Sequence, residues 1–176
     1  MFCIPDRVSS LVSSASAVGF SGSRSVAPPV CSAVAALVSP SASVLVGCAH
    51  GVDAVFRGFF PTATVFSVAA FSFAGRGVFA ARSAACVQAV FAVGGLWVSF
   101  PSGECPSGLA PSASSSRAFC GSGSGSWASL AFAAGLGCPC LVCGFAPPAV
   151  WGFVSLGRGW WFRCAPVPAG VQLSLF

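Results

Sequence analysis

Two long segments of the chain, residues 26–50 and 118–157, contain no Lys, Arg, Asp or Glu. Backbone amides and carbonyls inside such apolar stretches must be satisfied internally. They therefore belong either to membrane-spanning helices or to elements buried in a protein core. A spanning helix needs about 20 consecutive, predominantly apolar residues. Both segments are interrupted too often for that, at Pro28-Pro29, Ser39-Pro40-Ser41, Gly135-Leu136-Gly137-Cys138-Pro139 and Pro147-Pro148. The apolar pieces left between the breaks have the length of strands covered on both faces, which read as continuous apolar runs. A buried α/β core is the expected outcome, and a small membrane protein is the competing one.

Composition sharpens the choice without settling it. Only 6% of the 176 residues are charged and 56% are apolar, where an ordinary soluble domain carries about 25% charge. The chain lacks Lys, Asn and Tyr and has one Ile, and all eight basic residues are Arg. The missing residues are those with adenine-rich codons, so coding bias accounts for Arg in place of Lys. A net charge of +5 spread along the chain makes no nucleic-acid patch by itself. Arginine does suit bidentate phosphate contact, so placement matters more than number. No signal-peptide layout is present, because Asp6 and Arg7 run into serines rather than an apolar segment. A cytoplasmic protein with reduced thiols is therefore expected. Of the ten cysteines, Cys138, Cys140 and Cys143 cluster, and Cys164 is a conceivable fourth metal ligand. Strand alternation puts Cys138 and Cys140 on one face and Cys143 on the other. Buried thiols are expected there, with no metal and no cofactor.

The order of elements reads as strand, small-residue loop, helix, repeated. Residues 15–20 form a strand leading into the loop 21–25, and a helix over 28–38 starts on prolines. Ser43–Gly47 is a second strand, followed by a turn at Gly51 and a helix that Asp53 can cap. Residues 64–70 are a third strand, 81–95 a helix ended by glycine, and Leu96–Phe100 a fourth strand. A serine-rich loop over 111–118 carries Arg117. The sequence "GSGSGS" then precedes a helix over 127–134 and a fifth strand at Cys140–Cys143. Residues 160–164 read as an edge strand before an irregular tail. The expected fold is an α/β, three-layer, Rossmann-like domain with a mostly parallel sheet of five or more strands. It occupies residues 15–145, flanked by an N-terminal extension over 1–14 and a C-terminal extension over 146–176. Ligands in such sheets sit beyond the carboxyl ends of the strands. The loops 21–25, 47–53, 100–103 and 121–126 all fall at that edge.

The motifs "AVGFSGSRS", "VLVGCAHGVDAVFR", "GRGVFAARSAACVQAV", "LWVSFPSG" and "SGSGSWASLAFAAGLGCPCLV" follow one another in the chain. In that order they resemble the SLOG superfamily, and most of all the core domain of the DprA/Smf DNA-processing proteins. The resemblance spans residues 15–144. It implies that Gly22-Ser23-Arg24 corresponds to the family's Gly-Ser-Arg element, and that residues 47–53 correspond to its second loop, with His50 where the family has Arg. It further matches Arg82-Ser83 to a later Arg-Asn pair and Ser124-Gly125-Ser126 to a Ser-Gly-Ser element. The LOG-type phosphoribohydrolases of the same superfamily carry a glutamate that aligns with Ser129 here. Hydrolysis of an N-glycosidic bond leans on a carboxylate, so the resemblance argues against that activity.

The expected site comprises Gly22, Ser23, Arg24, Gly47, His50, Gly51, Asp53, Arg82, Ser99, Gly123, Ser124, Gly125 and Ser126. The expected ligand is a nucleotide or another phosphate-containing small molecule held by loop amides, hydroxyls and arginines. Single-stranded DNA is the alternative partner, and self-association is expected from a greasy surface. A nucleoside-monophosphate hydrolase would have to use His50 or Asp53, the two catalytic candidates. Plainer readings are a linker at 121–126, Asp53 as a cap only, His50 as a surface residue, and Arg82 as a solvent-facing residue in the first turn of its helix.

Overall fold

The structure is a computed structural model that describes residues 4–25, 27–73, 75–121 and 123–164. Its helices are α1 (Asp6–Ser14), α2 (Val30–Ala35), α3 (Val52–Phe59), α4 (Arg76–Ala92), α5 (Ser115–Ala118) and α6 (Gly125–Leu136). Its strands are β1 (Ala17–Gly22), β2 (Ser43–Gly47), β3 (Thr64–Phe66), β4 (Leu96–Phe100), β5 (Cys140–Cys143), β6 (Val154–Gly157) and β7 (Trp160–Arg163). The strands form one seven-stranded sheet in the order β3-β2-β1-β4-β5-β7-β6. The neighbours from β3 through β5 are parallel. β7 is antiparallel to both β5 and β6. The chain is therefore α/β with a mixed, mostly parallel sheet.

The uncharged runs end up where burial demands them. Every residue of β4 is buried, as expected of a central parallel strand with both faces covered. Alternate strand residues feed two separate cores. Val18, Phe20, Val46, Val98, Phe100 and Leu141 pack with side chains of α1, α2 and α3. Ala17, Leu45, Trp97, Cys140 and Val142 pack with α4 and α6. In the first core Phe20 and Phe56 stack with ring centroids 3.6 Å apart, and Phe56 leans on Phe100. α1 contributes Val8 and Val12 to this same core. Helix α6 is buried without interruption from Ser126 to Ala134, because the serine-rich segment before it folds back across it. Ser112 N–H donates to the Ala131 carbonyl at 3.2 Å, and a Cβ on Gly135 would collide with the Ser112 backbone.

Several bounds differ from the sequence reading. β3 stops at Phe66, and Val68–Ala70 wind into a 3₁₀ turn because the Ser67 hydroxyl accepts the Ala69 N–H. α2 is shorter than residues 28–38, with Pro29 as its N-cap and a turn after Ala35. α4 begins at Arg76, ahead of residue 81. Residues 111–118 include the short helix α5. β7 is not an edge strand: it pairs with β5 on one side and β6 on the other, and β6 forms the edge. Positive φ at Gly157, Arg158 and Gly159 reverses the chain between them. The irregular tail expected after residue 164 lies outside the described residues. No helix among the described residues is long and apolar enough to cross a membrane.

The buried and exposed phenylalanines of α3 provide a test of this packing. Phe56 is fully buried and Phe59 is half exposed. Phe56→Ala is expected to cost about 3–5 kcal/mol by chemical denaturation, and Phe59→Ala less than about 0.5 kcal/mol.

Candidate functional site

All four small-residue loops meet at the carboxyl ends of β1, β2 and β4. They line a cavity of about 360 Å³. Residues 21–24 come from the end of β1, Gly47, Ala49 and Asp53 from β2 and α3, Ser102 from the loop after β4, and residues 123–126 from the start of α6. The chain leaves β1 toward β2 and β3 on one side and returns through α4 to β4 on the other. A crevice opens at such a change of direction because the two connections diverge.

Backbone contacts lace the loops together. Ser23 N–H donates to the Phe100 carbonyl at 3.1 Å, and Val52 N–H donates to the Ser23 carbonyl at 3.0 Å. Gly51 holds φ at +65°, and a Cβ there would run into the Ser23 and Arg24 backbone. Only glycine combines that conformation with so close an approach. Trp127 Nε1 donates to the Gly103 carbonyl at 2.8 Å, tying the loop after β4 to the start of α6.

An ion pair forms one wall. Arg82 Nη1 lies 3.0 Å from Asp53 Oδ2, with both side chains less than a tenth exposed. Gly47 is glycine for a steric reason, since a Cβ would overlap Arg82 Nη1 and Asp53 Oδ2. Asp53 also accepts the Ala49 N–H at 3.2 Å, and Arg57 donates to the Gly47 carbonyl at 2.6 Å. Burial pushes the Asp53 carboxyl above its ordinary value of 3.8, against opposing pulls from Arg82, the Ala49 amide and Arg57. Arg82 Nε and Trp97 Nε1 are buried with no hydrogen-bond partner among the described residues. Both residues line the cavity.

The opposite wall is the N-terminus of the twelve-residue helix α6. Its N-cap Ser124 makes no capping hydrogen bond to the helix and instead pairs its hydroxyl with that of Ser126 at 2.7 Å. The first turn of α6, with the positive end of the helix dipole, thus lies at the cavity. The Arg24 guanidinium approaches the same end, with Nη2 3.8 Å from where a Cβ on Gly125 would lie. Beneath the floor, Ser21 Oγ donates to Ser99 Oγ at 3.2 Å and Ser99 donates to the Ser126 carbonyl. Two arginines against one aspartate leave the lining positively charged.

Of the expected site residues, Gly22, Ser23, Arg24, Gly47, Asp53, Arg82, Gly123, Ser124, Gly125 and Ser126 line this cavity. Ser99 lies beneath it, and Gly51 stands behind it as a spacer. His50 is exposed on the turn before α3 and is not part of the lining. Asp53 does not cap α3: the N-cap is Gly51, and Asp53 sits inside the first turn with its carboxyl turned to Arg82. Arg82 is not in a first turn or in solvent, since α4 starts six residues earlier. Ser83, Cys86, Trp97 and Ser129 also line the cavity and were not among the expected ligand contacts. Trp97 shares a strand face with Ser99, and Ser129 lies one turn beyond Gly125, so period-2 and period-4 spacing could have found them.

Burial holds the core thiols Cys31, Cys86, Cys138 and Cys140 protonated. Burial raises Cys86, in the cavity lining, to about 12, reinforced by the Asp53 carboxylate and partly offset by Arg82. Cys138 and Cys140 pack into one core while Cys143 packs against the other, so their sulfurs do not converge. No group of three or more His, Cys, Asp or Glu among the described residues is placed to hold a metal ion. No family model matches the chain, and no curated protein or solved structure matches it. The likeness to the SLOG superfamily rests on the sequence motifs.

Two outcomes follow from this geometry. Removing Arg82 leaves Asp53 buried without its cation, so its carboxyl rises further. A carboxyl that binds its proton more tightly folded than unfolded contributes stability below pH 3.8 that is lost as pH rises through the folded value. Arg82→Met should therefore cost about 3–5 kcal/mol near neutral pH, and the loss should shrink as acid protonates Asp53. Urea midpoints measured across pH check this. A thiol reagent at neutral pH should label Cys164, which is exposed, and reach Cys86 and Cys140, which are buried, only after denaturation.

Proposed function

We propose that this chain is a three-layer, Rossmann-like domain of the SLOG type that binds a nucleotide, or a nucleotide-derived phosphate, without turning it over. The observation that carries the reading is the convergence of the α6 N-terminus, Arg24 and the buried, under-bonded Arg82 on one cavity. A phosphate dianion answers all three: the helix amides, the exposed cation and the buried one. The parallel strands follow the order 3-2-1-4-5, and the cavity lies at the switch point where dinucleotide folds seat their phosphates.

Binding is favoured over hydrolysis by the lining itself. Its one carboxylate, Asp53, is engaged by Arg82 and the Ala49 amide. Ser129, at the position of the hydrolase glutamate, donates to the Gly125 carbonyl at 2.8 Å. His50 stands outside. The protein is read as cytoplasmic, and exposed Phe73, Phe91 and Val93 favour self-association.

Thermal unfolding with a panel of nucleoside 5′-monophosphates, ribose 5-phosphate and short oligonucleotides tests the reading. A monophosphate at a hundred times its Kd should stabilise the fold by about 2.7 kcal/mol. Arg24→Ala, at an exposed side chain, should weaken binding about tenfold or more, the worth of a charge-assisted contact. Salt-sensitive binding of oligonucleotides alone would replace this reading with single-stranded DNA binding. Release of free base would replace it with hydrolysis.

A further inference from the structure

A second cavity, of about 600 Å³, adjoins the first and has a different chemistry. The two share Arg24, Ser83, Gly123, Ser124 and Gly125. Beyond that seam the second is lined by Phe79, Phe119, Leu109, Pro106 and small residues of α4 and α6, and among the described residues Arg24 is its one charged group. Phe79 is 41% exposed. It lies on the outer side of α4, its ring under the Arg24 guanidinium at 4.9 Å. Phe119 is held from behind by an edge contact with Phe132, their centroids 6.0 Å apart. Arg24 thus sits at the junction, touching an aromatic face on one side and the α6 N-terminus on the other.

Resting on the phosphate reading above, we propose that the second cavity receives the heteroaromatic base of a nucleoside monophosphate whose phosphate occupies the first. The polarity of the two compartments sets the orientation. A dianion is stabilised beside Arg82 and the helix amides and would be unanswered among Phe79, Phe119 and Leu109. A planar base gains from burial against aromatic and aliphatic surface. The ribose would bridge the seam beside Ser83 and Ser124, whose hydroxyls can pair with sugar hydroxyls. Arg24 would serve both halves, as a phosphate cation and as a planar group stacked in line with the base.

Calorimetric titration separates this proposal from the phosphate reading. The four common ribonucleoside 5′-monophosphates and ribose 5-phosphate are titrated into the wild type, Phe79→Ala and Phe79→Leu. At least one nucleotide should bind the wild type about tenfold or more tighter than ribose 5-phosphate. Both variants should lose most of that advantage, read as the ratio of nucleotide to ribose 5-phosphate affinity, because any change the lost Arg24–ring contact makes to phosphate binding enters both terms of the ratio. Measurable ribose 5-phosphate binding also shows that they fold. Phe79→Leu keeps the bulk and removes only the ring, so it carries the test if Phe79→Ala does not fold. Equal affinity for ribose 5-phosphate and every nucleotide overturns the base site and leaves the phosphate reading standing. A nucleotide advantage that survives in Phe79→Leu places the base elsewhere and also overturns it. Failure of all five ligands to bind overturns both.

Discussion

A buried cation and a buried anion, resting on the bare Cα of Gly47, organise the strand ends. The Arg82–Asp53 pair joins α4 to α3 across the end of β2, and the space it occupies exists only because residue 47 has no side chain. Asp53 also gathers in the Ala49 amide, which shapes the turn that carries Gly51. Gly51 then lies against the Ser23–Arg24 backbone, and that contact places Arg24 near the start of α6. Each step is a short-range constraint, and together they bring loops distant in the chain to one rim. An ion pair this dry is costly to form and costly to break, so it acts less as a source of net stability than as a fixed joint.

Helix α6 shows how a chain with so few charges deploys them. Its N-terminus opens into the cavity with its cap hydroxyl turned to a neighbouring serine. Its C-terminus is closed twice, by Gly137 in the left-handed region and by Arg163 of β7, which donates to the Ala134 carbonyl. The cationic end-group answers the negative pole of the helix, and the positive pole lies at the cavity. Arg57 does similar work at the Gly47 carbonyl. Serines supply the rest: Ser21, Ser99 and Ser126 form an uncharged network under the cavity floor. Such a floor is polar without carrying a charge.

The central strands were legible in the sequence. β2, β4 and β5 have the bounds that their apolar runs suggest, because Ser, Gly and Pro punctuate both ends. The small-residue loops were legible for the same reason, and all four contribute to the cavity. Helix bounds were less so. In α6 nearly every residue is apolar and buried, so there is no polar stripe for a 3.6-residue period to show against. The β6–β7 hairpin was hidden because Val154–Gly157 is short and mostly exposed, and its turn uses Arg158 at φ 53° rather than a recognisable turn pair.

The sequence by itself determined that a buried α/β core forms and that glycine and serine loops punctuate its strands, since those features depend on neighbours in the chain. Only the tertiary structure decided what the few polar side chains do. Asp53 and Arg82 are 29 residues apart in the chain and become partners across the end of β2. His50, three residues from Asp53, is left in solvent. Trp97 and Phe79 are brought to the lining of two adjoining cavities. Partnership between distant charges depends on crossover geometry and on the room a missing Cβ leaves, and neither is written in any local stretch of residues.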